Sequence, residues 1–359
     1  MELLLANFAL PDQRLGDFRA QIAANRLGER RLGELCRRHG AATVRAASDE
    51  CLAYGERKLR AAIAALPDGV YRFTDALDGD GVRPGAIPIA VTITVAGERI
   101  QLDFTGSGPQ GPGDLNVVWL ALLATVYYAL KALLDPTIPA NGGFYRAIEV
   151  TAPEGSIVNA RPPAAVGWRT QTCQRIADAI FGALAPVLPD RVPAAGNGAN
   201  SAWVFSGTDP RTGRYYVYLE TIGGGAGATA AADGLDAVQV HITNTSNLPV
   251  ECLELEYPLL VEEYALVEDS GGRGRHRGGR GIRRTIQVLD HEAQLLATLE
   301  RAEIPPWGLT GGGPGGRAGL VLERGGGTTA LPPKIWGYPL APGDRVRIVT
   351  PGGGGHGAP

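Results

Sequence analysis

Cysteine, methionine and histidine are scarce in this chain: its 359 residues include four Cys, one Met and five His. The cysteines, Cys36, Cys51, Cys173 and Cys252, are scattered, with no C-x-x-C pair and no histidine at ligand spacing. This argues against a disulfide framework or a zinc site, and fits a reducing cytoplasm. No H-x-x-x-H, H-x-H or paired-carboxylate metal motif occurs, so no metal ligand is assigned. Long apolar runs are also missing. The most apolar stretch, residues 117–130, falls short of the roughly 20 residues that span a bilayer. The opening MELLLANFALPD has an acidic second residue and no basic n-region, unlike a signal peptide. No membrane partner is expected.

Neither sign of charge is in excess. A net charge of -3 gives no overall attraction to nucleic acid or to an anionic surface. One local exception is DSGGRGRHRGGRGIRR at 269–284, with six arginines against one acid. It has no interleaved aromatics on which bases would stack, and apolar strands run into and out of it. It reads as a solvated strand turn or a subunit contact, not as a nucleic-acid site.

Glycine and proline, by contrast, are abundant at 51 and 26 residues, dispersed among apolar strands. That pattern predicts many turns and a β-rich chain. The first part differs. Leu15, Phe18, Ile22, Leu32 and Leu35 fall at helical spacing within 12–40, and Leu52, Gly55, Leu59, Ile63 and Leu66 within 42–66. From Gly69 the period drops to two, with a hairpin across 91–104 and then a helix over 117–134. Further helix is expected from Thr172, as N-cap, through Leu184, and strands at 253–268, 281–289, 293–299, 320–323 and 345–349. The fold class is α+β: an N-terminal helical hairpin at 1–68, then a β-rich domain at 69–359 with a further dividing region at 190–210.

Candidate chemistry concentrates in residues 220–251. A strand over 215–222 brings in Glu220, and Gly223-Gly224-Gly225-Ala226-Gly227 follows as a bare-backbone loop that lets another group come close. Asp233 lies beyond it. A second strand, 237–242, delivers His241 to the polar cluster Thr243, Asn244, Thr245, Ser246 and Asn247. No glycine tract precedes Lys-Ser/Thr and none forms G-x-G-x-x-G in a βαβ unit, so a nucleotide loop is not read here. The tracts at 311–316 and 352–355 read as tight turns. Arg169, just before a helix start, adds a positive charge where anions are readily held.

The stretch ETIGGGAGATAAADGLDAVQVHITNTSNLPVE resembles the glycine-rich signature of the hydantoinase B/5-oxoprolinase family, which includes subunits of acetone-type carboxylases. RLGDFRAQIAANRLGERR, LDFTGSGPQ, YYALKALLDPTIPANGG, YPLLVEEYALVEDSGGRGRHRGGRGI, LTGGGPGG and DRVRIVTPGGGGHGAP extend the likeness over nearly the whole chain. The resemblance implies a B-type component of an ATP-dependent hydrolase that opens cyclic amides such as hydantoin or 5-oxoproline. A subunit of an acetone-type carboxylase, or a non-catalytic scaffold docking the A-type subunit, are the alternatives. An A-type partner would bind and hydrolyse ATP and phosphorylate the amide oxygen, making the ring an electrophile with phosphate as leaving group. ATP and a divalent metal are then expected in the complete complex, with no cofactor bound by this chain alone.

In that setting His241 suits a general base, since imidazoles ordinarily titrate near neutrality. Glu220 and Asp233 are the further catalytic candidates. The N–H groups of Gly223, Gly224, Gly225 and Gly227 would stabilise an oxyanion. Thr243, Asn244, Thr245 and Arg169 would hold the substrate. Family members usually carry an upstream segment rich in His and Asp that resembles a metal site, and this chain starts after it. A missing upstream B-type segment is therefore expected as a partner, and the chain alone is not expected to be active.

Overall fold

A computed structural model describes residues 1–8 and 10–359. The helices are α1 (Glu2–Leu5), α2 (Pro11–His39), α3 (Ala41–Ala64), α4 (Trp119–Leu134), α5 (Gly142–Tyr145), α6 (Arg169–Leu184) and α7 (Val250–Glu256). The strands are β1 (Gly69–Leu77), β2 (Ile87–Ala96), β3 (Arg99–Asp103), β4 (Ile148–Thr151), β5 (Ala202–Thr208), β6 (Tyr215–Thr221) and β7 (Leu259–Leu266). They continue with β8 (Ile282–Val288), β9 (Ala293–Thr298), β10 (Gly319–Arg324), β11 (Gly327–Ala330), β12 (Lys334–Leu340) and β13 (Arg345–Val349). The architecture is α+β, with helices preceding mixed sheets. Among the described residues no helix is long and apolar enough to cross a membrane.

The chain forms two compact units, Met1–Lys58 with Pro139–Arg146, and Leu59–Ile138 with Ala147–Pro359. In the first, α2 opens with Pro11 at its first turn, where a missing N–H costs nothing. It ends at Gly40, whose φ of 81° favours glycine, and α3 follows at once. No residue of α2 is buried, so its apolar stripe lies open. Asn141 caps α5 by accepting from Gly143 N at 2.9 Å, and its Nδ2 donates to Cys51 O at 3.0 Å.

The second unit contains three sheets. One runs β1-β2-β3-β4, antiparallel except for the parallel β3–β4 pair. In β2 burial alternates with period two, as Ile89, Val91, Ile93 and Val95 face the core. Helix α6 packs on β1 and β2 and against α4. It comes so close that a Cβ on Gly182 would lie 2.7 Å from the Phe73 ring. The other two sheets, β12-β9-β5-β6 and β11-β10-β13-β8-β7, share one apolar core built from Trp203, Phe205, Leu295, Ile286, Leu322 and Ile348.

Several sequence expectations are corrected. Residues 250–256 are helical: Pro249 occupies the N-cap of α7, and the strand starts only at Leu259. Residues 237–242 are not a strand. Only Val238 pairs, exchanging bonds of 2.9 and 2.7 Å with Gly224, and the chain then turns at His241 with φ 50°. Trp168, not Thr172, is the N-cap of α6, and the Thr172 hydroxyl instead donates to Leu115 O at 2.5 Å.

The glycine tracts at 311–316 and 352–355 are not mere tight turns. Residues 352–355 are buried and run between other glycine-rich segments. Gly353 N donates to Gly279 O at 2.9 Å, Gly354 N to Ala195 O at 2.7 Å and Gly355 N to Gly313 O at 2.9 Å. Incoming bonds arrive from Gly272 N to Gly353 O (2.8 Å), Ala228 N to Gly354 O (2.9 Å) and Leu309 N to Gly355 O (2.9 Å). Backbone therefore lies directly on backbone. A Cβ on Gly353 would sit 1.9 Å from Ala226 O, and one on Gly225 1.9 Å from Gly279 O. Gly353→Ala should destabilise the fold at or beyond the upper end of the ~1–3 kcal/mol typical of overpacking. Gly319→Ala, at an open position, should be near neutral. Denaturant unfolding of both variants checks this, and a Gly353→Ala protein as stable as its parent contradicts the packing.

Candidate active site

Helix α6 is buried along residues 171–184, and it carries charge into the interior: Arg175 and Asp178 stand one turn apart, 0% and 1% exposed. Ions are this deep only when paired. Asp75 from β1, and Glu300 and Arg301 just after β9, meet them there, together with Lys334 from β12. Arg301 Nη2 lies 2.6 Å from Asp178 Oδ2 and 3.0 Å from Asp75 Oδ2. Arg175 Nη2 lies 3.1 Å from Glu300, and its Nη1 is 3.6 Å from both Asp75 and Asp178, an ion-pair distance without a hydrogen bond. Lys334 Nζ reaches Glu300 at 2.6 Å, and Trp307 Nε1 donates to Asp75 at 3.1 Å. Three carboxylates thus face three cations.

His241 stands at the edge of this network. Its Nε2 is 2.8 Å from Asp178 Oδ1, while Arg301 occupies the other oxygen of that carboxylate. A carboxylate only accepts, so Nε2 is the donor, and in the neutral imidazole the lone pair is then on Nδ1. Nδ1 lies 3.5 Å from the hydroxyl of Tyr128 on α4. Phe181 meets the imidazole edge-on, with centroids 5.1 Å apart. His241 and Arg301 both hold positive φ, 50° and 66°, each a conformation that costs ~1–3 kcal/mol for a residue other than glycine. Gly198, at φ 52°, closes over the Asp178–Arg301 pair, where a Cβ would lie 2.5 Å from Asp178 Oδ2.

The other sequence candidates lie elsewhere. Glu220 shares the inward face of β6 with Tyr216 and Tyr218. It meets Arg284 Nη1 at 2.8 Å and accepts from Leu248 N at 3.2 Å, while Arg284 lies 4.6 Å from the centre of the Tyr264 ring. This is a carboxylate built into the sheet core, not one facing His241. Asp233 is exposed and accepts from Arg277 N at 2.9 Å. Its neighbour Asp236 is held well below the usual carboxylate range by hydrogen bonds from Arg277 against the opposing effect of burial, with Arg280 adding to them. Arg283 pairs with Glu263 at 2.7 Å, so much of the arginine-rich segment is compensated within the chain.

Two of the four expected oxyanion donors, Gly224 and Gly225, are taken, and so is Ala226 between them and Gly227. Gly224 N donates to Val238 O, Gly225 N to Pro351 O and Ala226 N to Leu235 O, each at 2.9 Å. Their role is to lock the loop, and that removes them as free donors. Thr243 accepts from Gln174 Nε2 at 3.0 Å and donates to Gln239 Oε1 at 2.9 Å, fixing the turn that carries His241. Asn244 and Thr245 are exposed, and Thr245 bonds the Thr221 hydroxyl at 2.5 Å. Arg169 is exposed at the start of α6 and donates to Val166 O at 3.3 Å.

Sequence reasoning missed Asp178, Arg301 and Tyr128. The first had a signal: CQRIADAIFGAL places an arginine and an aspartate three apart in a stretch whose other residues, Gln174 aside, are apolar or small. Asp75 and Arg301 are 226 positions apart and carried none. Among the described residues no three His, Cys, Asp or Glu side chains form a group suited to hold a metal ion. The network also makes a stability prediction. Arg301→Met leaves Asp178 and Asp75 short of a cation and should cost about 3–5 kcal/mol. Thermal and denaturant unfolding measure it, and a loss below about 1 kcal/mol contradicts the network as described.

Comparison with known proteins gives this geometry a context. The chain is 38% identical over 360 residues to an uncharacterized protein of Methanocaldococcus jannaschii, covering 100% of this chain and 62% of that one. It is 33% identical over 362 residues to the 5-oxoprolinase PfmaA of Pestalotiopsis fici, covering 96% of this chain and 27% of that protein. The crystal structure of the ATP-dependent caprolactamase from Pseudomonas jessenii superposes with a TM-score of 0.90 at 30% identity, over 99% of this chain and 63% of that one. The chain thus spans less than two thirds of the length of these relatives. The description Hydantoinase B/oxoprolinase matches residues 1–359, and the chain belongs to that family.

Proposed function

We propose that this chain is the B-type part of an ATP-dependent hydrolase of cyclic amides, and that His241 is its general base. The observation that carries the reading is the His241–Asp178–Arg301 chain. One imidazole nitrogen is tied to a buried carboxylate, the other has only the Tyr128 hydroxyl near it at 3.5 Å, and His241 and Arg301 both hold costly backbone conformations there. That is the arrangement needed to take a proton from water while the ring stays oriented. Membership of the hydantoinase B/oxoprolinase family and the likeness to an ATP-dependent caprolactamase support a cyclic amide as the substrate.

An unstrained cyclic amide resists water, and phosphorylating its oxygen makes the carbon attackable. ATP would be bound and used by an A-type partner, a reading that the likeness to an ATP-dependent caprolactamase supports. This chain would then hold the activated ring and place the water, with Thr243 supporting the His241 turn and Asn244 and Thr245 at its exposed rim. A divalent metal belonging to the complete complex would take its ligands from outside these residues. The setting is the cytoplasm, where ATP is available.

The experiment is ATP-dependent ring opening of caprolactam, 5-oxoproline and hydantoin. It compares this chain alone with a complex of an A-type subunit and a B-type subunit of the relatives' length carrying this sequence. The chain alone should open no ring and hydrolyse no ATP, and the complex should do both. His241→Ala in the complex should lower turnover by about 10²-fold or more, with circular dichroism confirming that the fold is kept. Full activity from the chain alone, or an unimpaired His241→Ala complex, overturns the reading.

A further inference from the structure

We infer that Tyr128 is the general acid that protonates the departing ring nitrogen, working as a pair with His241. This deepens the proposed amide-opening chemistry and rests on it. Attack by water is only half of ring opening. The amine that leaves is a poor leaving group unless it receives a proton as the C–N bond breaks. A second proton-handling group is therefore required near the base, and the structure offers one.

Tyr128 lies on α4, a helix whose other residues are almost wholly apolar, WLALLATVYYALKALL. Its ring packs edge-on to His241 with centroids 6.1 Å apart, and its hydroxyl stands 3.5 Å from Nδ1, the nitrogen left free by Asp178. That distance is long for a hydrogen bond, so each group remains available to a partner of its own. The side chain is half-buried, not sealed. Burial, together with the nearby Asp178 charge, pushes the phenol up to about 12. It therefore keeps its proton at neutral pH and approaches a reaction as a donor.

The proton account closes. His241 Nδ1 takes a proton from water, and the oxygen adds to the activated carbonyl carbon. The C–N bond then breaks, its electron pair passes to nitrogen, and that nitrogen takes the Tyr128 hydroxyl proton. The added hydroxyl loses its proton to solvent, and the acyl phosphate left behind is hydrolysed by a second water to carboxylate and phosphate. The imidazolium Nδ1–H returns a proton to the phenolate, restoring both groups. The co-reactant is the phosphorylated amide that the A-type partner makes from ATP.

The test is Tyr128→Phe in the same assembled complex, with circular dichroism and unfolding midpoints confirming the fold. Two substrates are compared: a simple lactam, whose departing amine is strongly basic, and a cyclic imide-like ring, whose departing nitrogen is weakly basic. A general acid predicts a loss of about 10²-fold or more on the lactam and a loss several-fold smaller on the imide-like ring. Equal losses on both substrates mean that Tyr128 merely supports His241, and overturn the inference. An active parent complex with an unimpaired Tyr128→Phe variant overturns it alone. A parent complex that opens no cyclic amide overturns both this inference and the functional reading beneath it.

Discussion

Where Gly353 passes Ala226 and Gly225 passes Gly279, one added methyl group would stand 1.9 Å from a carbonyl oxygen. Side chains cannot fill such a space, so the interior there is made of peptide groups alone. Every buried N–H in it must find an oxygen, and segments near 195, 225, 275, 310 and 354 supply them to one another. This constraint fixes the 194–198 turn and the 223–228 loop relative to the two packed sheets. Gly198 then covers Asp178, and the 238–241 turn is held by Val238 against Gly224. The position of His241 is thus inherited from backbone packing several residues away.

The ionic network supplies the second condition. Three buried carboxylates and three buried cations balance, and the pairs bridge β1, α6, β12 and the segment after β9. Such a cluster is seldom a net source of stability compared with apolar residues of similar volume, since desolvation offsets most of the attraction. Its value lies in geometry. Asp178 has one oxygen committed to Arg301 and the other to His241, so the imidazole has one orientation, with Nδ1 turned toward the Tyr128 hydroxyl.

Much of this was legible from residue patterns, and the failures have physical causes. Period-two alternation gave β2 and β3, and the apolar stretch at 117–134 gave α4. His241 was singled out by residue type and company, but its partners were not, because Asp178 is contributed by a distant helix. Val238 and Val240 alternate like a strand, yet only one of them pairs, and the positive φ at His241 has no sequence signature. A glycine needed for a turn and a glycine needed for close packing are the same letter. The tract at 352–355 departs from a turn for that reason, whereas Gly311 does sit in one, at φ 89° with Gly312 N donating to Leu309 O. Glu220 looked chemical as a carboxylate before a glycine loop; its place on the Tyr216–Tyr218 face gives it to Arg284 instead.

The central claim is that Asp178 fixes the His241 ring so that Nδ1 is the working nitrogen. Long-range ¹H–¹⁵N correlation spectra of the ring report this directly, with His241→Gln providing the assignment. They would be recorded at about pH 9, above the ordinary imidazole range. The predicted result is a single neutral tautomer carrying its proton on Nε2, which moves to Nδ1 in Asp178→Asn, where Arg301 keeps the amide oxygen and the NH2 faces Nε2. A parent spectrum with the proton on Nδ1, or with both tautomers equally present, contradicts it.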